Sequence, residues 1–81
     1  MDMDKVDFAI LDMMINVCGA DSKMRAATSK AICAGMDMKV DTLYRRLVGL
    51  MEKGVVSKGF KERREHTWYV TENGLKALRE V

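Results

Sequence analysis

One amphipathic helix followed directly by a charged hairpin lies at the centre of the chain, and this order restricts the possible folds more than any other feature. Leu43, Leu47 and Leu50 recur at helical spacing and predict a helix from about Val40 to Lys53. We expect Gly54 to end this helix, because glycine readily adopts the left-handed backbone found at helix C-termini. The sequence therefore predicts an amphipathic helix with a defined end.

A β-hairpin is predicted immediately after this helix. Two short runs rich in β-branched and aromatic residues, Val55–Phe60 and His66–Val70, lie on either side of the five-residue charged loop Lys61–Glu65. The loop contains two consecutive arginines. A helix that exposes cations and leads into an arginine-tipped hairpin suits a DNA duplex better than a small substrate.

A long apolar helix is predicted at the start of the chain, over residues 4–18. Only Asp7, Asp12 and Asn16 interrupt its apolar residues from Val6 onward. So wide an apolar face is typical either of a helix at the centre of a core or of a helix shared between core and partner. Both alternatives remain open at the level of the sequence.

Residues 20–27 are ambiguous in the sequence. Asp21 or Ser22 could cap a short helical turn, whereas Met24–Ala27 could equally form a brief extended segment. The sequence does not decide between the two.

A short second helix, Lys30–Ala34, is predicted with Thr28 or Ser29 as its N-cap. A tight connection over residues 35–38, which contains a glycine, joins it to the central helix. Two helices joined by such a turn are the helix-turn-helix pattern.

The two remaining helix starts differ in their capping residues. Lys39 occupies the position before the central helix where Ser or Asp would be expected, so Asp37 could instead supply the cap and start the helix earlier. Thr71 is a favourable cap for a last helix over Glu72–Glu80. The apolar stripe of that helix is predicted to consist of Leu75, Leu78 and Val81.

Length and composition limit the fold class and the compartment. With 81 residues, 48% of them hydrophobic and 32% charged, the chain is predicted to form one α+β, mainly helical domain over residues 1–81. No apolar stretch approaches the roughly 20 residues that span a bilayer, and the N-terminal aspartates are unlike a signal peptide. Cys18 and Cys33 lack CxxC spacing and are interpreted as reduced thiols of a cytoplasmic protein.

The net charge of +2 hides an uneven distribution. Residues 1–27 carry three basic and five acidic side chains, whereas residues 39–64 carry eight basic and three acidic ones. A polyanion would therefore be attracted to the second segment far more than to the first. An ordinary solvated surface is the alternative, but the clustering on one helix–hairpin unit favours binding.

Motifs with characteristic spacing accompany this order of elements. They are DTLYRRL at 41–47, LMEKGVV at 50–56 and TENGL at 71–75, together with AI at 31–32 and MDM at 36–38. With these motifs the chain resembles the winged helix-turn-helix domains of small prokaryotic transcription regulators, in particular their MarR-like and PadR-like pattern. The resemblance implies a three-helix core, a β-hairpin wing, a C-terminal helix and sequence-specific DNA binding. Lys39 departs from the small hydroxyl residue usual at that cap.

The resemblance places the recognition helix, residues 39–53, in the major groove with its N-terminal residues at the base edges. Arg45 is the strongest candidate for guanine, because a guanidinium can donate two hydrogen bonds to O6 and N7. A surface ion pair with Asp41 is the alternative for this side chain. The predicted contacts of the helix are Lys39, Val40, Asp41, Thr42, Tyr44, Arg45 and, at the edge of the core face, Arg46.

The wing, residues 58–66 of the hairpin, would lie on the DNA backbone or in the minor groove. Arginine side chains on such a loop suit phosphate contact or minor-groove insertion. The only histidine, His66, has no second metal ligand at suitable spacing. We therefore interpret it as a surface residue at the edge of a strand. The predicted wing contacts are Lys58, Lys61, Arg63, Arg64 and His66.

Double-stranded DNA is therefore the expected partner, and no membrane is expected. The wide apolar face of the first helix predicts a homodimer through that helix, with the C-terminal helix as an additional contact. The alternative is a winged-helix protein-interaction module that does not bind DNA. No GxSxG, P-loop, GxGxxG or HExxH motif occurs, so neither an enzymatic activity nor a cofactor or metal is expected.

Overall fold

The structure, a computed structural model that describes residues 3–80, combines α-helices with a three-stranded antiparallel sheet. This arrangement confirms the predicted α+β, mainly helical class and the order of three helices, hairpin and last helix. The strands of the sheet lie in the order β1–β3–β2. The elements are α1 Lys5–Asn16, a 3₁₀ turn Lys23–Arg25, β1 Ala27–Thr28, α2 Ser29–Ala34, α3 Val40–Glu52, β2 Val56–Lys58, β3 Thr67–Val70 and α4 Glu72–Arg79.

The first helix, α1, is mainly a core helix. It starts with a capping box, in which the Asp4 carboxylate accepts a hydrogen bond from Asp7 N at 2.9 Å and Asp7 accepts one from Asp4 N at 3.4 Å. Ile10, Leu11 and Met14 are fully buried. Of the two alternatives left open by the sequence, the structure thus favours the centre of the core, and α1 ends two residues earlier than predicted.

Residues 20–27 contain both kinds of structure considered from the sequence, but at shifted positions. Ser22 precedes the helical turn without a side-chain capping hydrogen bond, and the predicted extended segment Met24–Ala27 is extended as a strand only from Ala27. Lys23–Arg25 forms the 3₁₀ turn, and Ala27–Thr28 forms β1. β1 pairs antiparallel with β3, with Ala27 opposite Trp68. The predicted two-stranded hairpin is therefore part of a three-stranded sheet with β3 at its centre. A two-residue strand is too short to leave a periodic pattern in the sequence.

The helix-turn-helix unit starts as predicted. Thr28 Oγ1 accepts a hydrogen bond from Ala31 N at 3.2 Å and caps α2. α3 begins at Val40, and Lys39 occupies its N-cap without a side-chain hydrogen bond. The earlier start that Asp37 would have provided does not occur.

A close approach joins the end of α3 to the start of α4. Gly54 has a φ of +78°, which allows the chain to leave α3 and enter β2. Thr71 Oγ1 donates to Gly54 O at 2.6 Å and accepts from Gly74 N at 3.3 Å. A Cβ atom on Gly74 would lie 2.3 Å from Val55 O, so only glycine permits this contact.

The apolar stripe predicted for α4 is only partly correct. Leu75 and Leu78 are half-buried, whereas the smaller Gly74 and Ala77 are buried. Gly74 lies too close to Val55 O and to the side chain of Val70 for a Cβ atom, which explains the small residue at this position. Val81 lies outside the described residues.

One core cluster joins the helices to the sheet. The fully buried core consists of Ile10, Leu11, Met14, Ala20, Ile32, Leu43, Leu47, Leu50, Val55, Val56, Trp68 and Val70.

Within residues 3–80, no helix has the length and apolar character needed to cross a membrane. Cys18 and Cys33 are free thiols, and burial raises the pKa of Cys18.

Candidate nucleic-acid interface

The outward face of α3 follows from the burial of its three leucines, which point into the core. Asp41 and Arg45 lie on the opposite side of the helix and are exposed. Because successive residues of a helix are about 100° apart, Tyr44 and Arg46 fall on opposite flanks of this face. Tyr44, Arg45 and Arg46 are consecutive in the sequence but therefore face different parts of the structure.

The exposed start of α3 contains most of the contacts predicted for this helix. Arg45 makes no ion pair with any residue in the range 3–80, so the surface pair with Asp41 does not form. A guanidinium in this position can turn toward a ligand. The exposed residues here are Lys39, Val40, Asp41, Thr42, Tyr44 and Arg45.

Arg46 is the predicted contact that the structure sets apart from the others. Its Nη1 lies 2.8 Å from Asp4 Oδ2 and 3.2 Å from Asp7 Oδ1. Lys53 Nζ lies 3.6 Å from Asp7 Oδ2. The hydrogen bond from Arg46 is the main reason why the pKa of Asp4 is lowered, and the same contacts raise the pKa of Arg46. These four residues form the α1–α3 seam, which fixes α3 against α1.

The wing ends in a two-residue turn. Glu62 N donates to Glu65 O at 3.0 Å, and Glu65 N donates to Glu62 O at 2.9 Å. The two central residues, Arg63 and Arg64, have φ values of 49° and 71°. Positive φ at both positions defines a type I′ turn, for which Asn-Gly is the usual sequence. The turn thus has two central residues instead of the five-residue loop that was predicted. Both arginines are exposed at its tip.

The remaining wing cations lie nearer the sheet. Lys58 on β2 places its Nζ 5.6 Å from the centre of the Trp68 ring. His66 is half-buried, and its pKa is lowered mainly by the charge of Lys58, with smaller contributions from burial and from Lys61. A histidine surrounded by cations indicates a region of positive potential.

Trp68 connects α3 to the sheet that carries the wing. Its indole Nε1 donates to Ser29 Oγ at 3.1 Å. Its ring meets Tyr44 edge-on, with ring centres 5.7 Å apart and planes at 80°. Because Trp68 is fully buried, the start of α2, the flank of α3 and β3 keep a fixed relation. Trp68 is thus the aromatic residue of β3 that packs into the core, whereas its neighbour Tyr69 is half-buried.

A cleft of about 220 Å³ lies between the start of α2, the start of α3 and the wing. At its edge, Lys30 Nζ lies 3.3 Å from Glu65 Oε1. Ser29 and Lys30 were not predicted as DNA contacts from the sequence. The general rule that the first helix of a helix-turn-helix crosses the DNA backbone would have drawn attention to them. The cleft is lined by Ser29, Lys30, Val40, Tyr44, Arg64, Glu65 and His66.

Comparison with known proteins identifies the fold. No protein family and no curated protein sequence matches the chain. TubR from Bacillus megaterium pBM400 is similar in structure, with a TM-score of 0.84 and 19% identity over 98% of this chain and 86% of that chain. The DNA-binding TubR fragment from Clostridium botulinum has a TM-score of 0.80 and 24% identity, over 99% and 98%. These likenesses confirm the winged-helix fold, while the MarR-like and PadR-like pattern stays a prediction.

Proposed function

We propose that this protein is a small transcription regulator that binds double-stranded DNA in a sequence-specific manner. The observation that carries the proposal is the continuity of one surface. Val40 and Tyr44 of α3 line the same cleft as Arg64 and His66 of the wing. The start of α3 would enter the major groove, and the wing would follow the backbone or enter the minor groove.

The start of α3 provides groups that can distinguish bases. Arg45 can donate two hydrogen bonds to guanine, and Asp41 can accept one from the N4 amino group of cytosine. Both are exposed. Thr42 and Lys39 suit phosphate or sugar contacts at the edge of the groove.

The wing provides charge without requiring a particular sequence. Lys58, Lys61 and the two turn arginines lie on one hairpin, and cations on such an element neutralise phosphates. Its contribution would strengthen binding to any duplex and make it sensitive to salt.

Structural relatives support the proposal. The TubR fragment from Clostridium botulinum binds DNA, and this chain matches nearly all of that fragment. A similar fold, together with the basic hairpin of this chain, is consistent with the same class of ligand.

A homodimer on a pseudo-palindromic site is part of the proposal. On α1, the half-buried Phe8 and Ile15 are seven residues apart and share one helix face. Leu75 and Leu78 of α4 are also half-buried. The excess apolar surface of α1 is smaller than expected, because most of its apolar residues are in the core. Sedimentation as a monomer at tens of micromolar would refute the dimer.

One observation favours the second candidate, a protein-interaction module. Met24 and Phe60 are 83% and 58% exposed, and the Lys23 ammonium lies 4.7 Å from the centre of the Phe60 ring. Exposed large apolar side chains suit a protein partner. The concentration of cations on α3 and the wing favours DNA.

In-vitro selection of bound duplexes from a random pool, at stated salt, tests the proposal. We expect enrichment of a defined sequence, and for a dimer two half-sites about 10 base pairs apart or a multiple of that spacing. An anisotropy titration with unselected duplex at low salt provides the control. Absence of binding even there would refute DNA binding and favour the protein-interaction module.

A further inference from the structure

We infer that the cleft between α2, α3 and the wing holds one backbone phosphate of the bound DNA, and that Lys30 is a direct contact to it. This inference rests on the proposed function and adds a residue that lies outside both the recognition helix and the wing. The ligand group is a phosphodiester, a small anion flanked by apolar sugar carbons.

The cleft has the size and the lining for such a group. Its volume of about 220 Å³ is below the roughly 300–1,000 Å³ that encloses a drug-sized ligand. Lys30, Arg64 and His66 supply donors that can reach phosphate oxygens. Val40 and Tyr44 supply apolar surface for the adjoining deoxyribose. The combination suits a charged group that is attached to a sugar.

The position of the cleft fits the path of a DNA strand. With α3 in the major groove and the wing on the backbone, the strand that borders that groove runs between the two elements. The cleft opens between the same two elements, since its lining comes from both. One phosphate of that strand would therefore lie over the cleft.

Ser29 is oriented to donate into this site. Its Oγ accepts the hydrogen bond from Trp68 Nε1 at 3.1 Å, so the hydroxyl proton is directed away from the indole. Trp68 is fully buried and fixes this geometry. A hydroxyl whose acceptor side is occupied in this way is a good donor to a phosphate oxygen.

The ion pair between Lys30 and Glu65 is weak enough to be exchanged. The two side chains are 74% and 43% exposed at 3.3 Å, and exposed pairs of this kind contribute little free energy. A phosphate, with its full negative charge and several acceptor positions, can take the place of Glu65. Glu65 would then compete with DNA for Lys30.

Two substitutions separate a phosphate contact from a structural link between α2 and the wing. If Lys30 only held the wing through Glu65, Lys30→Gln and Glu65→Gln would weaken DNA binding alike. If Lys30 binds a phosphate, Lys30→Gln weakens binding about fivefold to tenfold, whereas Glu65→Gln strengthens it. Lys76→Gln on α4 is the matched control, because Lys76 is exposed and does not line the cleft.

A scan of the selected duplex with single methylphosphonate substitutions provides the second measurement. We expect one position at which loss of the phosphate charge weakens wild-type binding about tenfold but leaves the Lys30→Gln variant nearly unchanged. Lys76→Gln should respond like the wild type. Equal denaturant midpoints of the variants establish that folding is intact.

The outcomes are distinct. Additive losses at every phosphate, or a Glu65→Gln variant that binds as weakly as Lys30→Gln, would overturn the phosphate site while leaving DNA binding intact. No binding of the wild type to any duplex would overturn the proposed function, and this inference with it.

Discussion

The α1–α3 seam and the edge of the wing contain the same kinds of charged residue in different surroundings. In the seam, Asp7 is 8% exposed and lies within ion-pair distance of both Arg46 and Lys53. At the wing, the pair between Lys30 and Glu65 is largely exposed. Cations paired with a buried carboxylate stay in place and stabilise the fold, because separating them would leave a buried charge without compensation. An exposed pair leaves its cation free to change partners.

This difference corrects the interpretation of charge in the sequence. Residues 39–64 contain eight basic residues, but Arg46 and Lys53 belong to the seam and face α1. The proposed electrostatic attraction of DNA would therefore depend on fewer cations than the sequence count suggests. Arg45 and Arg46 are neighbours in sequence, yet of the two only Arg45 is exposed and outside the ion pairs of the seam.

The largest expected effect is a loss of stability when the α1–α3 seam is disrupted. Asp7→Asn should lower the free energy of unfolding by about 2–3 kcal/mol, because it removes a buried charge that compensates two cations. Denaturation with urea, followed by circular dichroism, measures this loss. Asp12→Asn is the control, since Asp12 is exposed on the same helix. Equal losses for the two variants would show that the seam does not stabilise the fold through Asp7.

Matched substitutions of Arg45 and Arg46 test which of the two arginines binds DNA and which stabilises the fold. Arg45→Gln should weaken binding to the selected duplex by about 2 kcal/mol and relax the preference for guanine at one position. Arg46→Gln should lower stability but leave the affinity of the folded protein nearly unchanged, because its guanidinium is held by Asp4 and Asp7. Anisotropy titrations well below the unfolding transition measure both. A larger loss of affinity for Arg46→Gln would reverse the assignment.

The predictable parts of the fold are those with local signals. The leucine spacing of α3, the cap at Thr71 and the stop at Gly54 each act within a few residues, and the structure bears out all three. β1 could not be predicted with certainty, because a two-residue strand depends on its pairing with β3 rather than on its own sequence.

The predictable parts of the interface are similarly limited. Helical geometry alone turned Asp41 and Arg45 outward. It could not identify Asp4 and Asp7 as the partners of Arg46, since these contacts join residues about 40 positions apart. The ion pair between Lys30 and Glu65 was not predicted for the same reason, because the position of Lys30 beside the wing depends on tertiary packing.

The wing turn offers a substitution with opposite effects on fold and binding. Arg63→Asn combined with Arg64→Gly introduces the sequence that a type I′ turn prefers. The free energy of unfolding should rise by about 1 kcal/mol, because left-handed backbone is costly for arginine. Affinity for every duplex should fall, and the slope of log K against log salt should decrease by up to about two units.

Arg25→Asn, a change at an exposed arginine of the 3₁₀ turn, controls for loss of charge elsewhere. Salt titrations with random duplex and urea denaturation provide the two measurements. An unchanged salt slope in the wing variant would contradict phosphate contact by these arginines.

The smallest expected effect is a dependence of stability on pH that originates at Asp4. Its pKa is lowered from the ordinary value of 3.8, chiefly by the hydrogen bond from Arg46 and next by the backbone N–H of Asp7. The folded state therefore favours the carboxylate. The contribution of this carboxylate to the free energy of unfolding is present above the ordinary pKa and is lost as pH falls through the lower pKa of the folded protein.

Asp4→Asn, which retains a capping side chain, should be less stable than the wild type near neutral pH. Urea denaturation as a function of pH should show this difference shrinking in acid. Asp37→Asn, an exposed aspartate away from the seam, should show no such convergence, and a difference for Asp4→Asn that persisted in acid would assign its effect to the cap rather than to its charge.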